Sequence, residues 1–229
     1  MSYESNIVKK PWGYEYLVYE NDDVGVWFLN INKDQKTSLH CHPKKTTGLI
    51  VLDGIAEITC LPSVIPDGKK IVKGLGKTTL RRGLFHSTKA LSDPLLLLEV
   101  ETPKDKHDLV RLSDNYGREF ENYEDETFET PKESDCLWLD NPKSNNPNVY
   151  NFAGCNLTVE LVSSIDTIND KLDSDLLVFL KGGLVRVIED QKQLVTVPGE
   201  VGLAHYIKQV SSKLDDVADD TVLLTISRD

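Results

Sequence analysis

Apolar and β-branched residues run along this chain in short blocks, with polar turn residues between them. VGVWFLNI (24–31), TGLIVLDGIAEITCL (47–61), PLLLLEVET (94–102) and LTVELV (157–162) are each long enough for one strand or a hairpin. The same holds for DLLVFLKGGLVRVIE (175–189), KQLVTVPG (192–199) and TVLLTIS (221–227). Asp53-Gly54, Pro66-Asp67-Gly68 and Gly182-Gly183 are turn signals that bound the blocks. Long helical periodicity is almost absent, and GLAHYIKQVSSKLDDVADD (202–220) is expected to hold no more than a helical turn. The pattern predicts an all-β sandwich or barrel.

Between residues 121 and 149 the blocks give way to ENYEDETFETPKESDCLWLDNPKSNNPN, which is acidic, polar and proline-containing. It is expected to be a linker packed through Trp138 and Leu139. The segments it separates, 1–120 and 150–229, look like a degenerate repeat. IVLDGIAEI followed by GLFH in the first corresponds to VFLKGGLVRV followed by GLAH in the second, aligning Gly54 with Gly182 and His86 with His205. On that alignment Ile168 and Asp170 stand in place of His40 and His42, so two similar barrels are expected, only the first with a complete histidine set.

The formal net charge of −11 disfavours nucleic acid and anionic membrane surfaces as partners. Basic residues nevertheless cluster in the first half, at Lys44-Lys45, Lys69-Lys70, Arg81-Arg82, Arg111 and Arg118, which leaves room for a small anionic substrate. No apolar run reaches the roughly 18 residues of a membrane span. MSYESNIVKKPWGYE has no apolar signal region, so a cytoplasmic location is expected. Cys41, Cys60, Cys136 and Cys155 form no C-x-x-C pair and are read as reduced thiols.

In a strand, residues two apart share a face, so His40 and His42 present their imidazoles together while Cys41 points the other way and packs. Two neutral imidazoles side by side suit a first-row divalent ion. His86, three residues after Gly83, is the candidate third ligand from a returning strand. His107 is expected at the surface, and His205 is expected to be a structural relic. Arg82 and the pair Lys44 and Lys45 are candidate anion contacts. Trp12 is a candidate sugar-facing ring or a barrel plug. Glu99 and Glu101 alternate on one strand face and are the candidate proton carriers.

Residues 38–90 resemble the cupin family. Its first motif, G-x5-H-x-H-x3,4-E-x6-G, is matched by His40, His42 and Gly54, with Thr47 (or Thr46) in the glutamate position. Its second, G-x5-P-x-G-x2-H-x3-N, is matched by Gly83 and His86, with Arg81 and Ala90 in the proline and asparagine positions. KPWGYEYL (10–17) and DLVRLSDNYGRE (108–119) resemble the opening and close of the cupin half of mannose-1-phosphate guanylyltransferase/mannose-6-phosphate isomerase proteins. The resemblance covers residues 10–119. It implies an RmlC-like double-stranded β-helix (jelly-roll) barrel and, taken with the repeat, an all-β chain of two cupin domains. It implies a divalent ion (Zn, Fe, Ni or Mn) on His40, His42 and His86, with Thr47 at the fourth position. It also implies a phosphorylated or nucleotide-linked sugar as substrate and isomerase-like chemistry in which Arg111 takes part. A homodimer is expected besides. With threonine replacing the acid, the ligands are three neutral imidazoles. Two further readings follow: a three-histidine iron oxygenase, and a non-catalytic cupin that binds a sugar or metabolite.

Overall fold

The computed structural model describes residues 6–62, 66–120, 128–129, 136–143 and 146–228. These fall into two compact units, one made of residues 1–20 and 25–137 and the other of residues 21–24 and 138–229. The division lies within the segment expected to be a linker, much of which is outside the described residues. Of its two expected anchors, Leu139 is buried and Trp138 is half-buried. Leu137, also buried, donates its N–H to the Tyr16 hydroxyl at 3.0 Å.

The first unit holds twelve described strands: β1 (Ile7–Lys10), β2 (Gly13–Glu20), β3 (Gly25–Ile31), β4 (Leu39–Cys41), β5 (Thr46–Asp53), β6 (Ile55–Leu61), β7 (Lys69–Lys73), β8 (Lys77–Leu80), β9 (Phe85–Ala90), β10 (Leu95–Thr102), β11 (Val110–Ser113) and β12 (Phe128–Glu129). One sheet runs β12-β1-β2-β3-β10-β5-β8 and the other β11-β4-β9-β6-β7. Counting from β3 to β10, the first sheet contains the first, eighth, third and sixth strands, and the second contains the second, seventh, fourth and fifth. Every pairing is antiparallel, and this order is the jelly roll, a double-stranded β-helix.

Alternation along the strands builds the interior. Leu49 and Val51 of β5, Leu95 and Leu97 of β10, Trp27, Leu29 and Ile31 of β3, and Ile58 of β6 pack in one core cluster. Each fully buried aliphatic side chain contributes about 1.5–3 kcal/mol. The same parity carries Thr47 on β5 and Glu99 and Glu101 on β10 to the inner face. The turn at Gly54 has φ +91°, and a Cβ there would lie 2.3 Å from the Pro94 carbonyl oxygen, so glycine is required.

The second unit comprises β13 (Asn148–Phe152), β14 (Cys155–Val162), α1 (Ile165–Asn169), β15 (Leu176–Lys181), β16 (Leu184–Ile188), β17 (Gln191–Leu194), β18 (Val201–Leu203), α2 (Ala204–Ser211), β19 (Asp216–Val217) and β20 (Thr221–Ser227). Its sheets run β13-β14-β20-β15-β18 and β17-β16-β19. The run β14-β20-β15-β18 has the chain order of β3-β10-β5-β8, and Gly182 makes the turn from β15 to β16 as Gly54 does from β5 to β6. The expected helical turn is the two-turn helix α2. Helix α1 was not expected. It stands in the chain where β4 stands in the first unit, and Ser164 starts it by accepting the Asp166 N–H at 3.0 Å. Ile168 and Asp170, aligned by the repeat with His40 and His42, therefore lie in and just after a helix. Ile168 joins Leu177, Phe179, Leu184, Ile207 and Leu223 in a filled apolar core.

Candidate metal centre

Strand register assembles the histidines. His40 on β4 pairs directly with His86 on β9 and, on its other side, with Arg111 on β11. Directly paired residues project from the same face of a sheet, so all three side chains point inward. His42 follows just past the end of β4 with the same parity. The ring centroids of His40 and His86 are 4.4 Å apart, those of His40 and His42 5.0 Å, and those of His42 and His86 5.3 Å. One nitrogen from each ring lies within 4.8 Å of the others. Cys41 is buried facing the other way, as strand parity predicts.

Backbone carbonyls set the tautomers. Nδ1 of His40 is 2.9 Å from the Ser38 oxygen, Nδ1 of His42 is 2.6 Å from the Asp108 oxygen, and Nδ1 of His86 is 3.0 Å from the Leu84 oxygen. A carbonyl only accepts, so each Nδ1 carries the proton and each Nε2 keeps a lone pair. The His42 Nε2 is buried with no partner within the protein. Burial, reinforced by His86 and His42, holds the His40 pKa well below 6.5. Burial and then Lys45 bring His42 to about 2, and burial brings His86 to about 4. Three neutral imidazoles brought this close, each with its Nδ1 engaged by a backbone carbonyl, are a donor set that fits a divalent first-row ion.

The cavity these rings line also holds a buried ionic network. Lys45 Nζ donates to Glu101 Oε1 at 2.6 Å and to the Asp105 carbonyl at 3.1 Å. Lys106 Nζ is 3.4 Å from Glu101, 3.5 Å from Glu99 and 3.8 Å from Glu15, and it lies 4.0 Å from the Trp27 ring centroid. Burial alone would lower the Lys106 pKa, but Glu101, Glu15 and Glu99 outweigh it and push the ammonium up. Burial raises the Glu99 pKa against the pull of Lys106. Asp108 supports the lining residues from behind, through its bonds to His42 and Lys45. Its backbone oxygen holds His42, while its carboxylate accepts the Lys44 and Lys45 N–H groups, each at 2.9 Å.

The candidates named from sequence divide accordingly. His40, His42 and His86 come together, and Glu99, Glu101, Lys45, Arg111 and Trp12 line the same cavity. Thr47 is fully buried, and its hydroxyl has no partner within the protein. It lies outside the cavity lining, although it pairs with Glu101 across β5 and β10. Two expected anion contacts, Arg82 and Lys44, are not among the residues lining the cavity. Arg82 is exposed, because Gly83 (φ +70°) turns the chain before β9 and removes the parity it would share with His86. Lys44 is exposed and engages Asp108 only through its backbone. His107 is exposed, as expected, and His205 lies exposed on α2 beside Asp173, 3.4 Å away.

Sequence reasoning missed Glu15, Lys106 and Asp108. Glu15 carried a signal, since it shares parity with the core residue Leu17 on β2. Lys106 and Asp108 lie in the loop after β10, where no period applies.

No family model and no curated protein matches the chain. Solved structures do resemble it. KdgF from Halomonas sp. is 14% identical over 46% of this chain and 94% of its own, with TM-score 0.40. An RmlC-like cupin from Shewanella frigidimarina is 13% identical over 46% and 90%, with TM-score 0.39. A cupin-superfamily sugar phosphate isomerase from Silicibacter pomeroyi is 15% identical over 40% and 59%, with TM-score 0.35. Among the described residues, no helix is long and apolar enough to cross a membrane.

Proposed function

We propose that the first unit is a metal-dependent cupin enzyme that moves a proton beside the carbonyl of a small anionic sugar, a phosphorylated or nucleotide-linked one. The observation that carries this reading is the convergence of three neutral imidazoles in a cavity that also contains buried carboxylates and cationic side chains. A divalent ion held by His40, His42 and His86 would supply Lewis-acid polarisation of a substrate oxygen. Glu99 and Glu101 are the groups able to take and return a proton. Arg111, beside His40, offers a planar donor fork for the substrate anion. Trp12, buried in the cavity wall, provides an apolar face for a sugar ring.

The second unit is, on this proposal, a degenerate cupin with no metal centre. Its strand order supports this, as do the helix at the ligand-strand position and the apolar filling of its interior.

Elemental analysis of the purified protein and of His42→Ala is the first test. Near-stoichiometric metal in the wild type and loss in the variant are expected, and unchanged content in the variant would sink the site assignment. The second test incubates the metal-loaded protein with a panel of phosphorylated aldoses in D₂O and follows the C2 proton by NMR. Exchange without oxygen consumption supports proton transfer. Oxygen consumption with bound iron would replace the proposal with an oxygenase. Ligand-induced stabilisation with neither activity would replace it with a binding protein.

A further inference from the structure

Three neutral imidazoles bring no negative charge to a divalent ion, yet a carboxylate oxygen is buried in the same cavity without a partner. Glu101 is 1% exposed. Its Oε1 is fixed by Lys45 at 2.6 Å, and its Oε2 has no hydrogen-bond partner within the protein. A buried carboxylate oxygen left unpaired costs free energy, so its retention in a cavity wall points to a ligand. Glu101 lies outside the three-histidine group itself. Its carboxylate is aligned by a lysine, the kind of hydrogen bonding that orients acids around metal centres.

We propose that Glu101 is the acid of this centre: held by Lys45, it presents Oε2 as the negative charge that the three-histidine set lacks. Lys45 touches no part of the centre other than Glu101, which Lys106 also holds at 3.4 Å. As a cation beside the imidazoles it opposes metal binding. Glu101 and Lys45 therefore affect the metal with opposite signs, although they share one ion pair. This inference rests on the metal-centre reading above.

The test titrates metal-stripped wild type, Glu101→Gln and Lys45→Met with Co(II), following the visible absorption of the bound ion, with melting temperatures measured alongside. Glu101→Gln is expected to weaken Co(II) by about 10- to 100-fold. Lys45→Met, in which Glu101 keeps Lys106 at 3.4 Å, is expected to bind Co(II) as tightly as wild type or more tightly. Equal weakening in both variants would make the pair a packing element only and overturn the proposal, as would unchanged affinity in Glu101→Gln. Should Glu101→Gln fail to fold, Glu101→Asp replaces it. Aspartate keeps the charge but withdraws it by one methylene, so weaker Co(II) binding is expected, and unchanged affinity overturns the proposal. Failure of the wild type to bind Co(II) would instead overturn the three-histidine reading.

Discussion

Burying three neutral imidazoles makes the metal-free protein sensitive to mild acid, and the size of the effect follows from the site. In the unfolded chain a histidine titrates near 6.5. In the folded protein His86 is lowered to about 4 and His42 to about 2, both first by burial, and His40 is lowered by burial and by its two neighbours. A lowered folded pKa means that the unfolded chain takes up protons first as the pH falls. The stability associated with each ring is complete above about 6.5 and is lost progressively from there toward the folded pKa. At pH 5 the unfolded chain is almost fully protonated at these positions while the folded protein is not. Each of His42 and His86 then costs about 2 kcal/mol relative to neutral pH, and His40 adds with the same sign. Carboxylates titrate over the same range, and Glu99, raised by burial, works in the opposite direction. The comparison that isolates the histidines is therefore wild type against a variant with asparagine at positions 40, 42 and 86. Both are unfolded in urea with chelator at pH 7 and pH 5, and the first unit is followed through Trp12 and Trp27, both buried there. The wild type should lose about 4 kcal/mol or more relative to the variant across that interval. An equal loss in both proteins would refute the argument that these rings are held neutral by burial.

Lys106→Met removes the ammonium that faces Glu15, Glu99 and Glu101, and should destabilise the first unit by about 3–5 kcal/mol in urea unfolding at neutral pH. A loss within error of zero would mean that the network is not held by that charge. Asp108→Ala strips the acceptor from the part-buried Lys44 N–H and the buried Lys45 N–H, leaving both unpaired within the protein. It should cost about 1–3 kcal/mol of stability, measured the same way. In the second unit, Phe179→Ala opens a cavity in the apolar core and should cost about 3–5 kcal/mol, read by urea unfolding through Trp138.

The histidine triad was legible because it depends on local geometry. The H-x-H spacing sets parity along one strand, and Gly83 three residues before His86 marks the return of another. The inner face of β10 was legible for the same reason, since Glu99 and Glu101 continue the alternation of Leu95 and Leu97. Arg82 was not, because a glycine at positive φ intervenes and parity cannot be carried across it. Helix α1 escaped because five residues hold too little periodicity to register, leaving only the Ser164 cap. Lys106 and Asp108 were invisible for a deeper reason. They reach the site from a loop, and a charge there looks like any solvated charge until the strands on either side place it.

The apparent absence of an acid near His42 follows from the same limit. A motif is read along the chain, so a carboxylate expected a few residues after His42 looks lost when Thr47 is found there. Register is read across the sheet, and there the residue opposite Thr47 is Glu101, 54 positions away in the chain. A one-residue slip between β5 and β10 would turn Glu101 outward and place Val100 opposite Thr47. The place of Glu101 in this cavity is therefore specified by the pairing of two strands, which the apolar alternation of Leu49, Val51, Leu95 and Leu97 enforces from the core beneath it.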